Sequence, residues 1–441
     1  MRKRTTALLT ALLSITLGAC AATAENNTTT AIVSSTAPSE TTAAAATAAS
    51  STSSALEISS IFSDRDLQQS VDTTTATTIT VTDNNTVTID AEGTYILTGT
   101  ASNATILVTA GDTDKVQLVL NNLNVTNSDT PVIQILAADK VFINLAAGST
   151  STLKVTDDFD EDDYGADAAI FSKSDLTING TGTLNIESSE NGISGHDDLI
   201  LTGGTYNITA AEDAIEGHNS IAIYDGTYTI NAGKDGFHAE DNDDDTVGYL
   251  YVCGGTFDIT AGDDGMQATT IAQFDGGTFT INAVEGIEAT TLQFNNGDFT
   301  INASDDGINA ADKSSSYDIS IEINGGSITI TMSNGDTDAI DSNGSLTING
   351  GTINITAQSA FDYETTGVIN GGDITVNGQT VTSMTNSMMG GRSQNSGRHG
   401  NPPTDNGADA DSSASIDHDT PPQAPGRQDT DACSSATAQN S

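Results

Sequence analysis

The sequence predicts an all-β solenoid, a parallel β-helix with one coil per repeat, and three observations carry that reading. First, one short pattern is rewritten from about Thr183 to about Asn377: a glycine pair, a Thr and an apolar residue, alternating strand residues, then acidic-Gly-apolar. It reads Gly203-Gly204-Thr205-Tyr206-Asn207-Ile208 ending in Asp213-Ala214-Ile215, Gly254-Gly255-Thr256-Phe257-Asp258-Ile259 ending in Asp264-Gly265-Met266, and Gly276-Gly277-Thr278-Phe279-Thr280-Ile281 ending in Glu285-Gly286-Ile287. A period of roughly 20 to 30 residues is the mark of a solenoid, which stacks like side chains into rows. Second, strand alternation recurs and no segment has a helical period. Third, the insertions Glu240 to Val247 and Asp312 to Tyr317 fall at the same place in the unit, directly after acidic-Gly-apolar. An antiparallel sandwich would also satisfy the turn density, but insertions confined to one corner favour the β-helix.

Taken in order, the chain opens with Met1-Arg2-Lys3-Arg4, an apolar stretch from Ala7 to Thr16 and then Leu17-Gly18-Ala19-Cys20. A basic start and an apolar run too short to span a bilayer make a secretory signal. With the terminal Cys it resembles a bacterial lipobox, which implies cleavage before Cys20, lipidation of its sulfur and a lipid-anchored, extracytoplasmic protein at the cell surface; an ordinary secretory signal is the other reading. Residues 21–58 are nearly all Ala, Ser, Thr and Asn, too polar to offset chain entropy, and read as a flexible linker. Residues 59–384 form the predicted β-helix. Its early strands include Thr78-Ile79-Thr80-Val81-Thr82, Thr86-Val87-Thr88-Ile89, Val116 to Leu120 and Val141 to Leu145. Residues 385–441, rich in Gly, Pro and Asp, read as a disordered tail, with Met388-Met389 as a candidate cap on the last coil.

Within a unit the side chains sort by period two. Phe279, Ile281 and Ala283 share one face, matched by Tyr228, Ile230 and Ala232, by Phe257, Ile259 and Ala261, and by Phe299, Ile301 and Ala303. These rows are core, so the aromatic residues are not sugar platforms. The outward partners form a flat ladder of hydroxyls and amides, Thr229, Thr280 and Thr300 beside Asn231, Asn282 and Asn302. That ladder is a candidate carbohydrate-binding face.

Acidic residues outnumber basic ones by 60 to 13 in the 441 residues, and from Asp66 to Gly391 there is no arginine and only six lysines. Nucleic acid and anionic membrane surfaces are excluded as partners by that charge. The surplus suits plain solvation, cations, or a ligand met through bridging cations. Of the cysteines in the mature body, Cys253 is expected as a buried thiol and Cys433 as a stray one.

The acidic residues recur at the corner as Asp213, Asp235, Asp264, Glu285, Asp306 and Asp338, with Glu212, Asp263 and Asp305 before them and Glu216, Glu288 and Asp341 three positions on. Stacked strands lie about 4.7 to 4.9 Å apart and calcium–oxygen distances run about 2.3 to 2.6 Å, so a Ca²⁺ between two stacked carboxylates fits the coil rise. An Asp that bonds nearby backbone, followed by a Gly at positive φ, is a turn signal by itself and explains Asp264-Gly265 without metal. His196, His218 and His238 fall near the same corner and are expected as solvated turn residues; the run Asp160-Glu161-Asp162-Asp163 reads as a solvated loop.

Asp114-Lys115-Val116, Ala138-Asp139-Lys140-Val141 and, above all, Phe171-Ser172-Lys173-Ser174-Asp175-Leu176-Thr177-Ile178-Asn179-Gly180, with Asp64-Arg65-Asp66-Leu67 ahead, carry a resemblance over about residues 60 to 380. The chain is similar to the clostridial-type bacterial cell-surface carbohydrate-binding β-helix proteins. The resemblance implies a right-handed parallel β-helix, Ca²⁺ on the coils, and non-catalytic binding of cellulose or of acidic sugars such as polygalacturonate; a monomer is expected. This chain departs from the pattern at Ala214 and Ala339, which replace the turn Gly, and at Lys234, which interrupts the acidic pair before Asp235.

Two other classes compete. A calcium-dependent pectate lyase needs a neutral base beside the metal, and Lys234 is the candidate, although Glu212, Asp213 and Glu216 should raise its pKa. A structural adhesin or ice-binding surface would use the Thr rows, which the Asn column and Asp258 interrupt.

Overall fold

The computed structural model describes residues 61–159, 164–241, 244–333 and 338–385. The signal, the linker, the acidic run at 160–163, Met388-Met389 and the tail lie outside these residues. Among the described residues 34 strands run from Thr77 to Thr380, and each coil pairs in parallel with the coil before and after it. The single antiparallel pairing among them, Asp373–Val376 with Gln379–Thr380, ends the stack as a hairpin. A parallel β-helix results, and the sandwich alternative falls with the parallel register.

A coil has three strands. Thr205–Ala210, Ile215–Gly217 and Ser220–Ile223 are followed by Thr227–Ala232, Phe237–Ala239 and Tyr249–Val252. In the next two coils the second and third strands fuse, as Asp264–Phe274 and Glu285–Phe294. Where they separate again, Ile308–Ala310 and Ser320–Ile323, the second insertion lies between them. Both insertions therefore occupy one corner, as their place in the repeat predicts, and they meet there: Ser315 donates to Asp245 Oδ2 through its amide at 2.9 Å and its hydroxyl at 2.7 Å.

The register is residue on residue. Phe257 pairs with Phe279, Asp258 with Thr280 and Ile259 with Ile281. The inward aromatic residues form a column, Tyr206 on Tyr228 at 4.8 Å, Tyr228 on Phe257 at 4.8 Å, Phe257 on Phe279 at 4.5 Å and Phe279 on Phe299 at 4.3 Å, all with nearly parallel ring planes. Stacked pairs of this kind add about 0.5–1.5 kcal/mol each beyond burial. One apolar core runs from Val81 to Ile374, with only a small satellite cluster of Ala166, Ala168 and Phe171 apart from it among the described residues.

The corner glycine departs from expectation. Gly265 is not among the residues at positive φ; a Cβ there would meet Ile281 Cγ2 at 2.3 Å and Gly286 O at 2.5 Å, so close stacking of coils is what demands it. Positive φ belongs instead to the second glycine of the pair, as at Gly277 with φ +106°. Cys253 also departs: it is disulfide-bonded rather than a free buried thiol.

Before entering the first coil, residues 61–69 run as a strap along the outside of the third sheet. Phe62 packs edge-on against Tyr224 at 5.3 Å, and Arg65 lies 4.0 Å over the Phe142 ring. Asp66 is buried, with Oδ1 bonded to Thr177 Oγ1 at 2.6 Å and to Lys140 Nζ at 2.9 Å. Gln69 closes the strap by donating to Thr202 O at 2.9 Å and accepting from Gly180 N at 2.9 Å.

Candidate functional site

The corner acids form a ladder whose first duty is structural. Asn191 Oδ1 accepts the amide of Asp213 at 2.9 Å, Asp213 Oδ1 that of Asp235 at 2.8 Å, and Asp235 Oδ1 that of Asp264 at 2.8 Å. Asp306 Oδ1 accepts from Asp338 N at 3.1 Å. Asp213, Asp235 and Asp306 thus each satisfy a backbone donor one coil further on, where an unpaired amide would be costly, while the amide of Glu285 bonds Asp263 O instead. Glu285 sits in register with Asp264. At those three residues one oxygen is spent this way, leaving the second for other partners.

Protein cations take up part of that remainder. His238 Nδ1 lies 2.9 Å from Asp213 Oδ2 and 3.5 Å from Asp235 Oδ2, with Nε2 3.4 Å from Glu240 Oε2. Burial opposes the charge on His238, yet these carboxylates outweigh it and raise its pKa to about 10. Lys313 Nζ reaches Glu288 Oε2 at 2.5 Å from the second insertion. The histidines are therefore not the solvated turn residues that their sequence context predicts. His196 stacks on His218 at 4.0 Å and edge-on against Phe171 at 4.9 Å, and burial lowers its pKa to about 4.

Negative charge still exceeds the local cations. Burial first, then neighbouring carboxylates, raises Asp306 to about 7; burial raises Asp235 to about 6 against its bond to the Asp264 amide; Asp264 and Glu285 are pushed up by burial and by the carboxylates around them. Such a group takes either protons or a cation. Ligand oxygens of Asp264, Glu285 and Glu288 all lie within 4.8 Å of one another. Asn309 donates to both Glu285 Oε2 and Glu288 Oε1 at 3.0 Å, while its own buried Oδ1 has no partner. The three carboxylates are an all-oxygen set of the kind a hard cation such as Ca²⁺ takes, although Lys313 Nζ already stands on Glu288 Oε2 and the Asn309 amide on Glu285 Oε2 and Glu288 Oε1. The Asp213, Glu216 and His238 group, also within 4.8 Å, fits it less well, because one donor is an imidazole that is itself charged. Glu212, Asp263 and Asp305 stand outside these close groups, with Glu212 paired to Lys234 and the other two exposed.

Along the chain, the corner directly follows the outward ladder. Thr229, Asn231, Thr280, Asn282, Thr300 and Asn302 are all exposed and stack in register, Thr280 on Thr300 and Asn282 on Asn302. Asn302 Nδ2 donates to Asn282 Oδ1 at 3.0 Å. Asp258 interrupts the Thr row and Thr260 the Asn row. Lys234 bonds Glu212 Oε2 at 2.8 Å, which raises its pKa and keeps it protonated, the opposite of what a base requires.

A further row escaped the sequence reading. Asn295 donates to Asp275 at 2.7 Å, Asn324 to Asn295 at 2.9 Å, Asn349 to Asn324 at 2.8 Å and Asn370 to Asn349 at 2.8 Å. The signal was present as an Asn before each late glycine pair, where it reads equally well as a turn.

The fold and its surface define the class: a parallel β-helix solenoid whose outer faces carry repeated polar rows. The profile of the carbohydrate-binding domain-containing protein family matches residues 83–337 and 291–421, and the chain belongs to that family. A carbohydrate-binding domain-containing protein of Acetivibrio thermocellus is 36% identical over 121 residues, 26% of this chain and 42% of the relative. The match thus spans less than half of that relative's length. Among solved structures, a polysaccharide lyase-like protein from C. thermocellum, studied as a gadolinium derivative, is similar with 24% identity and a TM-score of 0.36, over 68% of this chain and 94% of that one.

Proposed function

We propose that this chain binds polysaccharide without cleaving it, that Ca²⁺ held on the acidic corner contributes to binding, and that the lipidated Cys20 tethers a monomer to the outside of the cell. The observation that carries the calcium part is the close, all-oxygen group of Asp264, Glu285 and Glu288, where negative charge exceeds the one ammonium, Lys313, that reaches it. Those residues would hold the ion, which would neutralise the corner and offer charge to a uronate carboxylate. The exposed Thr and Asn ladder offers donors and acceptors at the strand spacing to a neutral glucan such as cellulose, or to the hydroxyl edge of polygalacturonate. A lyase reading finds no support at Lys234, whose pKa is shifted the wrong way.

Isothermal titration of the full chain with polygalacturonate and with a soluble cellulose oligomer, each in calcium and in chelator, tests the proposal. Uronate binding should weaken in chelator and in an Asp264→Asn/Glu285→Gln variant. Equal affinity in both buffers removes calcium from the mechanism, and no binding to either glycan removes the function.

A further inference from the structure

The body's few cations are mostly consumed in single ion pairs: Lys154 with Glu187, Lys234 with Glu212 and Lys313 with Glu288. At one place three of them converge. Where the strap crosses the third sheet, a cleft of about 380 Å³ is lined by Arg65, Lys115, Lys140, Phe142, Asp175 and Asp198. Its volume lies at the lower end of the range of small-ligand sites.

Each cation there is in a different state. Lys140 is committed, because its ammonium bonds the buried Asp66 at 2.9 Å and is itself largely covered. Lys115 pairs at the rim with Asp139, both side chains more than 40% exposed, and a surface pair of that kind is worth little and exchanges partners readily. Arg65 makes no ion pair among the described residues. Its guanidinium is held at 4.0 Å over Phe142, a ring only 2% exposed, which fixes the plane by stacking and leaves its edge for an acceptor. The strap is anchored on both sides of Arg65, by Phe62 and by Asp66, so the fork is placed before a ligand arrives. Across the cleft, Asp198 already accepts from Ser220 Oγ at 2.7 Å and has lone pairs to spare, as does Asp175.

We propose that this cleft binds an acidic sugar directly, with Arg65 and Lys115 pairing to its carboxylate and Asp175 and Asp198 accepting from its hydroxyls. A simple anion does not suit the acidic wall, and a neutral sugar leaves the fork unused. In a chain of net charge −47 an anionic ligand is repelled almost everywhere, so a cleft where three cations balance the lining carboxylates Asp66, Asp175 and Asp198 marks where it can dock without a bridging metal. The inference rests on the polysaccharide-binding reading for the ligand being a sugar, but not on calcium.

The test uses the full chain in chelator, lysine acetylation read by mass spectrometry, and a galacturonate trisaccharide, its neutral galactose counterpart and inorganic phosphate as probes. The uronate should slow acetylation of Lys115 by about tenfold at saturation, leave Lys234 unchanged, and lose this effect in Arg65→Ala and in Arg65→Gln, whose thermal melts report that they fold. The Asp264→Asn/Glu285→Gln variant should keep the protection while losing calcium-dependent binding, which separates the failure of this site from failure of the corner. Absence of Lys115 protection, equal protection by phosphate or by the neutral sugar, persistence in both Arg65 variants, or loss in the corner variant would each overturn the proposal.

Discussion

Asp235 Oδ1 accepts the backbone amide of Asp264 at 2.8 Å, one coil further along the stack. A residue that looks like a metal ligand is therefore first a backbone partner, and the two roles separate by substitution. Asp235→Ala should leave the buried Asp264 amide unpaired and destabilise the chain by about 1–3 kcal/mol. Asp235→Asn keeps an acceptor while removing a charge whose pKa burial has raised to about 6, so it should be neutral or mildly stabilising at pH 7. Denaturant melts of both variants in chelator check this; equal loss in the two would show that charge, not the amide bond, matters.

Gly265→Ala should be destabilising although no positive φ is involved. Its new methyl would sit 2.3 Å from Ile281 Cγ2 and 2.5 Å from Gly286 O, so two coils must part. Overpacking of this kind costs about 1–3 kcal/mol. The midpoint of urea unfolding measures it, and an unchanged midpoint would mean the coils yield freely.

Asp66 fixes the strap and should do so in a pH-dependent manner. Burial pulls its pKa up, but bonds from Ser63, Thr177 and Lys140 outweigh this and hold it below the ordinary 3.8. Its stabilisation is therefore complete above about pH 4 and is lost as pH falls through the lower folded value. The stability difference between the wild-type chain and Asp66→Asn should be constant from about pH 8 to 5 and shrink below about 4. At neutral pH the variant should also be cut by trypsin after Arg65 at least about tenfold faster, since local release of the strap exposes that bond.

How much of this was legible follows from where each contact lies in the chain. The core column and the outward ladder could be read because period-two alternation sorts Phe279, Ile281 and Asn282 within one strand, and the repeat then stacks each on its copy. The pairing of His238 with Asp213 depends on the offset between neighbouring strands, and Lys313 reaches Glu288 only because an insertion folds back over the corner. The strap was least legible: Asp66 meets Thr177 across 111 positions, and nothing local in Asp64-Arg65-Asp66-Leu67 says which sheet it will cross. Asn324 and Asn349 were visible but ambiguous, since a turn and an inter-coil amide ladder ask for the same residue.

The outward ladder gives the most direct test of where a neutral glucan lies. Thr280 and Thr300 are exposed, stacked in register, and have no side-chain hydrogen bond among the described residues that a valine would break. Thr280→Val/Thr300→Val preserves shape and strand propensity, so stability should change by no more than about 0.5 kcal/mol. Removing two hydroxyls from the centre of the face should nevertheless weaken retention on cellulose by roughly fivefold to a hundredfold, at about 0.5–1.5 kcal/mol per hydrogen bond. Binding of the galacturonate trisaccharide in chelator should be unaffected, because that ligand is assigned to the strap cleft. Pull-down on cellulose and titration with the trisaccharide, run on the same variant, decide it: unchanged cellulose retention would take the glycan off this face, and a parallel loss of both would merge the two surfaces into one.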